Sequence, residues 1–394
     1  MSNNAPIPLA STTWDQEEMD VMQDVIRSGI FTMGENVQKF EKQFAEYHQS
    51  KYCVMVNSGS SANFLMVAAL FFTTGKNKLK RGDEVIVPSV SWSTSYSPMY
   101  YHGLKLRFVD VDKDTLNISA SNIKKAITED TKAVLAVNLL GNSCDYKDIV
   151  ALCDENNLIL LEDNCESLGA SYNNKKSGTF GLVSSCSSFF SHHISTMEGG
   201  LILTDDEEIY HILLSIRAHG WTRNLPEENL ICTKSDDPFY ESFRFILPGY
   251  NVRPLELSGA LGTKQIKKLD GLIDKRKSNA KVFQEMISDF DFIDVQKEIG
   301  SSSWFGFALI INNKANFSRT DLVNKLSSRN IESRPIVCGN ILENEMTKYF
   351  DYSTSGDFAV SEMIHSNGLF IGNHHEDISE GLKNLHDSIC QLAK

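Results

Sequence analysis

Leu158-Ile159-Leu160-Leu161-Glu162-Asp163-Asn164-Cys165-Glu166-Ser167 is the stretch on which the fold turns. An apolar run passes directly into acids and small polar residues. Leu158–Glu162 therefore reads as a strand buried on both faces, with its carboxyl end opening onto something polar. In an open α/β sheet, ligands bind at that end of the strands. A carboxylate such as Asp163 there would keep a pyridinium nitrogen protonated, or it would simply cap a following helix; the residues alone leave both readings open.

Similar short runs flank it at regular intervals: Tyr52–Val56, Glu84–Val87, Lys105–Val111 and Ala133–Asn138 before it, Ser184–Phe190 and Leu201–Thr204 after it. Helical stretches such as Ser61–Phe72 and Asp145–Glu155 lie between them, the alternation expected of parallel strands joined by crossover helices. The pattern breaks at LPGYNVRP (Leu247–Pro254), after which a long helical stretch begins at Leu255. Beyond it Trp304–Ile311 and Glu332–Val337 read as strands, and Ser318–Arg329 and Ile378–Leu392 as helices. The expectation is a large α/β domain over residues 1–254, carrying a mostly parallel seven-stranded sheet, and a smaller α/β domain over 255–394.

Composition restricts the function. Of 394 residues, 41% are hydrophobic and 23% charged, as in ordinary globular proteins, and the longest apolar run (Phe64–Phe72) is too short to span a bilayer. The opening stretch MSNNAPIPLA lacks a basic start followed by an apolar run, so a cytoplasmic location is expected. A formal net charge of -13 disfavours binding to nucleic acid or an anionic membrane, although an anionic small molecule can still be held by local N–H groups and a few Arg or Lys side chains. The eight cysteines show neither CxC nor CxxC spacing, which disfavours zinc ribbons and iron–sulfur clusters.

Two further segments carry chemistry. Asn57-Ser58-Gly59-Ser60-Ser61-Ala62-Asn63 lies between a strand and a helix, where exposed N–H groups and hydroxyls suit a phosphate, or where Ser58 merely caps the helix. Ser187–Gly200 (SSFFSHHISTMEGG) carries the pair His192-His193. No HxH or HExxH spacing accompanies the pair, so zinc is disfavoured; one satisfied histidine and one exposed histidine is the plain reading.

Taken in order, Asn57–Asn63, Glu162–Glu166 and Ser187–Gly200 resemble the phosphate loop, the ED motif and the segment before the GG turn of the sugar aminotransferase family. This is the DegT/DnrJ/EryC1/StrS group of fold-type I enzymes that use pyridoxal phosphate (PLP). The family's cofactor-anchoring lysine falls at His192. Histidine cannot form that covalent link but can move protons near neutral pH. With SHHI and TMEGG around it, the chain resembles the 3-dehydratase branch. FTMGENV (Phe31–Val37), VPSVSWSTSY (Val87–Tyr96), NLLGN (Asn138–Asn142), RAHGWTRNLP (Arg217–Pro226) and LPGYNVRPLE (Leu247–Glu256) extend the resemblance nearly end to end, to the kind that has no iron–sulfur cluster.

The resemblance implies a phosphate cradle of Gly59, Ser60 and Ser187, completed by Asn251 from a second subunit of a homodimer. It implies Trp92 stacked on the ring, Asp163 at the ring nitrogen and Glu166 near the ring hydroxyl. L-Glutamate would convert PLP to pyridoxamine phosphate (PMP). His192 would then move a proton at the cofactor's C4′, so that a GDP-linked 4-keto-6-deoxymannose loses its C3 hydroxyl, with 2-oxoglutarate and ammonia released in a dideoxysugar pathway. His219 is a second catalytic candidate or a packed loop histidine. Arg223 and Arg334 are candidates for substrate contact, with a surface salt bridge as the plainer role for Arg334. Lys175 and Lys176 read as a solvated turn. A sugar aminotransferase with a replaced lysine, or a PLP- or nucleotide-sugar-binding protein without chemistry, remain as alternatives.

Overall fold

The computed structural model describes residues 5–394; Met1–Asn4 of the opening stretch lie outside them. The strands that begin the chain are β1 (Tyr52–Val56), β2 (Glu84–Pro88), β3 (Lys105–Val109), β4 (Thr131–Val137) and β5 (Ile159–Asp163). A two-stranded hairpin follows, β6 (Ser171–Tyr172) with β7 (Lys175–Lys176), and then β8 (Val183–Ser187) and β9 (Gly200–Thr204). The remaining strands are β10 (Ile293–Val295), β11 (Gly306–Ile311), β12 (Ser333–Arg334), β13 (Tyr352–Ser355) and β14 (Gly368–Gly372).

The large sheet has the order β1-β9-β8-β5-β4-β2-β3-β13. β9 runs antiparallel to both its neighbours, and the other pairs are parallel. Both faces of the sheet are covered, which is why its strands read as continuous apolar runs rather than alternating ones. Val85, Val87, Ala133 and Leu135 pack on one side with helix Gly59–Ala69, whereas Ile86, Val134 and Ala136 pack on the other with helix Tyr146–Asn156. Successive side chains of each strand therefore feed opposite cores.

The structure adds an eighth strand to the expected seven. β13 lies far along the chain, yet it pairs in parallel register with β3, Tyr352 opposite Leu106. It is a short, partly exposed edge strand of polar residues, and so carries no hydrophobic pattern to announce it. β13 thus joins residues beyond 254 to the large sheet, and the long helix Glu256–Ile287 packs back on the first part of the chain. That helix presses Gly262 against the Phe40 ring and Gly259 against the Val37 backbone, on helix Glu35–His48. The smaller sheet, β10-β11-β14-β12, is antiparallel and has its own core around Phe283, Phe307 and Leu385.

Two expected strands are shorter than anticipated. Glu332–Val337 reduces to Ser333–Arg334, because Pro335 has no N–H to donate and Val337 stands at φ 45. Ser184–Phe190 ends at Ser187, and Ser188–Gly199 becomes the loop that joins β8 to its antiparallel neighbour β9. The loop is pinned by Ser188 N–H to Gly199 O and Phe190 N–H to Met197 O, both 3.0 Å. His192 and His193 thus sit in a loop, not on a strand. Among the described residues, no helix is long and apolar enough to cross a membrane.

Candidate active site

A cleft of about 300 Å³ opens at the carboxyl ends of the central strands. Asp163, the last residue of β5, stands at its base and is 4% exposed. Its Oδ2 accepts from Asn63 Nδ2 (2.8 Å) and Ser95 Oγ (2.7 Å), and its Oδ1 from the Cys165 N–H (3.1 Å). The bond to Cys165 is a local turn, and no helix follows directly, so the capping reading of Asp163 falls away. Three donors orient a buried carboxylate toward the cleft, and such a group can hold a cationic N–H.

Helix Gly59–Ala69 begins at the cleft, with Ser58 Oγ accepting from the Ser61 N–H (3.1 Å). The Ser58 cap is therefore real, and it does not compete with an anion site. The N–H groups of Gly59 and Ser60 come first in the helix and have no intrahelical acceptor. Gly59 is fixed by space: a Cβ there would stand 2.7 Å from Ser187 Cβ. Ser60 Oγ meets Thr94 Oγ1 at 3.0 Å, and Ser187, ending β8, lines the same corner. The corner suits a phosphate.

Trp92 is no core tryptophan. It precedes helix Ser93–His102, is 52% exposed and lines the cleft, while Ser95 on the same segment turns in to bind Asp163. An aromatic face open to a cleft, beside a phosphate corner and above an oriented carboxylate, matches a flat cationic ring bearing a phosphate.

The far wall holds Glu166, Arg334 and His192. Glu166 Oε2 accepts from the Leu140 N–H (3.0 Å). Burial pushes its carboxyl up to about 7, against the opposing pull of that N–H and of Arg334. The Arg334 guanidinium lies 4.4 Å over the Phe370 ring, its strand partner, and makes no salt bridge within 4.0 Å among the described residues. His192 packs edge-on against Phe305, ring centroids 5.1 Å apart. Its Nδ1 is buried without a partner, which leaves Nε2 as the nitrogen available to the cleft. Burial, followed by the charges of Arg276 and Arg334, drives the imidazole down to about 3. It is neutral at physiological pH and thus able to accept a proton. His193 is not the exposed partner that a plain histidine pair would give: it is fully buried, with Nε2 3.1 Å from Ser303 O.

Eight of the residues singled out in the sequence meet here: Gly59, Ser60, Trp92, Asp163, Glu166, Ser187, His192 and Arg334. His219, Arg223 and Asn251 do not line this chain's cleft. His219 stands at φ 65 with its ring 4.6 Å from that of Trp221. Arg223 lies over Trp221 and donates to Ser242 O (2.9 Å), and Asn251 accepts from Arg253 Nε (2.9 Å). Ser95 and Phe305 were not singled out. Ser95 was legible in principle within SWSTS, whereas Phe305 arrives from the distant segment just before β11 and has no local signal. Lys175 and Lys176 form the β6–β7 hairpin, where Lys176 lies 3.9 Å over the Tyr47 ring. All eight cysteines are free thiols.

Residues 12–389 match the DegT/DnrJ/EryC1/StrS aminotransferase family. A GDP-4-keto-6-deoxy-D-mannose 3-dehydratase from Yersinia pseudotuberculosis is 59% identical over 380 residues, 96% of each chain. Among solved structures, GDP-4-keto-6-deoxymannose-3-dehydratase with a trapped PLP-glutamate geminal diamine gives a TM-score of 0.95 at 54% identity, over 97% of this chain and 100% of that one. A variant of that enzyme with bound GDP-perosamine gives the same TM-score, identity and coverage.

Proposed function

For a chain that belongs to the DegT/DnrJ/EryC1/StrS aminotransferase family, we propose removal of a sugar hydroxyl rather than placement of an amine. The chain is a PLP-dependent 3-dehydratase of GDP-4-keto-6-deoxy-D-mannose, with L-glutamate as amino donor. Bound PLP supplies an electron sink and, once aminated by glutamate, the nitrogen that engages the sugar's C4 ketone.

This chain's own residues do the rest. Gly59, Ser60 and Ser187 receive the phosphate, Trp92 covers one face of the ring, and Asp163 holds the proton on the ring nitrogen. Glu166, poised near neutrality, faces the ring hydroxyl. His192 Nε2 takes a proton from the cofactor's C4′ and gives one to the C3 oxygen as it leaves. Arg334 and Arg223 meet the carboxylate or diphosphate of incoming substrate. Water then releases the 3-deoxy sugar and ammonia.

The single observation that carries this reading is His192: an imidazole on the cleft wall, with no lysine among the described residues lining that cleft. An amine that could take the amino group's place on the cofactor is lacking, whereas a proton carrier is present.

Asn251, His219 and Arg223 enter from a second copy of the chain in a cytoplasmic homodimer. Supporting this, Asn251 accepts from Arg253, whose guanidinium lies 5.6 Å over Trp221, and that ring meets Phe243 and Phe245, 65% and 53% exposed. Apolar surface of that kind marks an interface.

The test is product analysis. Protein, PLP, glutamate and GDP-4-keto-6-deoxymannose should give 2-oxoglutarate, ammonia and a 3-deoxy-4-keto sugar in step. An aminated sugar as the retained product overturns the reading.

A further inference from the structure

Arg276, on helix Glu256–Ile287, is 4% exposed, and among the described residues no carboxylate lies within 4.0 Å of it. A buried guanidinium without a counter-charge is costly, and structures keep one only where its hydrogen bonds are well made. Its Nη1 donates to the carbonyls of Phe305 (3.1 Å) and Asn373, while Nε has no partner. Asn373 Nδ2 in turn donates to the carbonyls of Arg276 (3.1 Å) and Trp304 (2.9 Å). The Phe305 N–H donates to Leu140 O (3.1 Å). Three of these bonds end on Trp304–Phe305 and the other two tie Arg276 to Asn373; in that segment Trp304 is held at φ 49, a conformation that a bulky residue adopts only when its surroundings impose it.

That segment is what the histidines rest on. The Phe305 ring meets His192 at 5.1 Å and His193 at 5.7 Å, and Ser303 O holds His193 Nε2. The groups facing His192 are Arg276 from the long helix, Arg334 from β12, His193 beside it, and Asp163, Glu166 and Glu198 around the cleft. Arg334 shares its field with Glu166. Arg276 has no such offset.

We propose that Arg276 is a positioning residue for the reaction: it locks Ser303–Phe305 against His192 and places an uncompensated buried cation beside that ring. This rests on the function proposed above, in which His192 is the proton carrier.

The test compares PMP-loaded wild type with Arg276→Met and Arg276→Lys. The His192 ring is followed through pH by NMR with ¹³C-labelled histidine, its signal assigned from His192→Asn. Arg276→Met should raise the titration by about one pH unit and lower kcat about tenfold, with the KM for sugar within about twofold. Arg276→Lys, which keeps the charge, should leave the titration near wild type and recover most of the rate. An unmoved titration together with kcat within about twofold in Arg276→Met overturns the proposal. Should that variant not fold, Phe305→Leu reads the mechanical half: kcat should fall about tenfold with the titration unmoved, and an unchanged rate overturns it. If wild type makes no 3-deoxy sugar while the titration still follows Arg276, it is the proposed function that fails and not the coupling.

Discussion

An imidazole at position 192 changes what the cleft can do because it separates two jobs that an amine would combine. It can carry protons, but it cannot tether the cofactor, so in the function proposed above binding rests on the phosphate corner, Trp92 and Asp163. His192→Asn should therefore lower turnover by roughly 10²-fold or more while leaving the affinity for PLP unchanged, read by product formation and by an absorbance titration of the cofactor. A parallel loss of cofactor affinity would mean that the ring also holds PLP. The residues that could be read from the sequence are those whose chemistry is local: Asp163 ends an apolar strand, and Trp92 stands in a run of serines and a threonine. Ser95 escaped notice because its value lies in one bond to Asp163 across 68 positions. Phe305 and Arg276 have no local sign because they matter only once the segment before β11 and a helix from the second half of the chain close on the loop that carries His192.

At the scale of elements, the site is made by one helix start and one inter-strand loop that nearly touch. Gly200, opening β9, lies so close to the Ser58 carbonyl that a Cβ would stand 2.1 Å from it. Gly59 has the same intimacy with Ser187. Gly59→Ala keeps a residue with good helix propensity, and its backbone conformation raises no objection, so the fold should survive. Its methyl must nonetheless displace Ser187 from the phosphate corner. The dissociation constant for PLP should rise about tenfold, a change of about 1.4 kcal/mol, and the thermal midpoint should fall as well, because Ser187 Cβ is carried on the β8 backbone and cannot swing aside. Unaltered PLP affinity would place the phosphate elsewhere. Strands buried on both faces and helices with clear caps were legible because local pattern and burial agree. β13 and the shortened β12 were not: an edge strand of Tyr and Ser residues offers no apolar signal, and Pro335 followed by the left-handed Val337 stops a strand that composition alone would continue.

At the scale of the whole molecule, burial sets a pH dependence of stability and the proposed homodimer sets the unit of function. His48 and His374 are held near 4 and His192 near 3, each chiefly by burial, and His193 is pushed down in the same way. Between those values and the ordinary 6.5 the unfolded chain binds protons that the native state refuses, so this contribution is complete above about pH 6.5 and is lost as pH falls. Glu162 and Glu166, raised by burial, work the other way, Glu166 between its ordinary value and about 7. His102, His211 and His375 are pushed down by burial too, and Glu198 is raised by it, so seven histidines stand against three carboxyls and the urea midpoint should fall between pH 7 and pH 5; a midpoint flat or rising toward acid would mean that the histidines are charged in the native state. The second consequence concerns Asn251, which lies on the same chain as His192 but outside that chain's cleft. If each site takes His192 from one subunit and Asn251 from the other, His192→Asn and Asn251→Asp variants are each inactive for different reasons, the latter by setting a carboxylate against phosphate. Mixed dimers then contain one intact site, built from the normal residue of either chain. Random re-pairing of equal amounts after denaturation and refolding should restore about a quarter of wild-type sites. Activity that stays at the level of the separate variants would return Asn251 to a purely structural role in its own chain, where it accepts from Arg253 and pairs with Ala218.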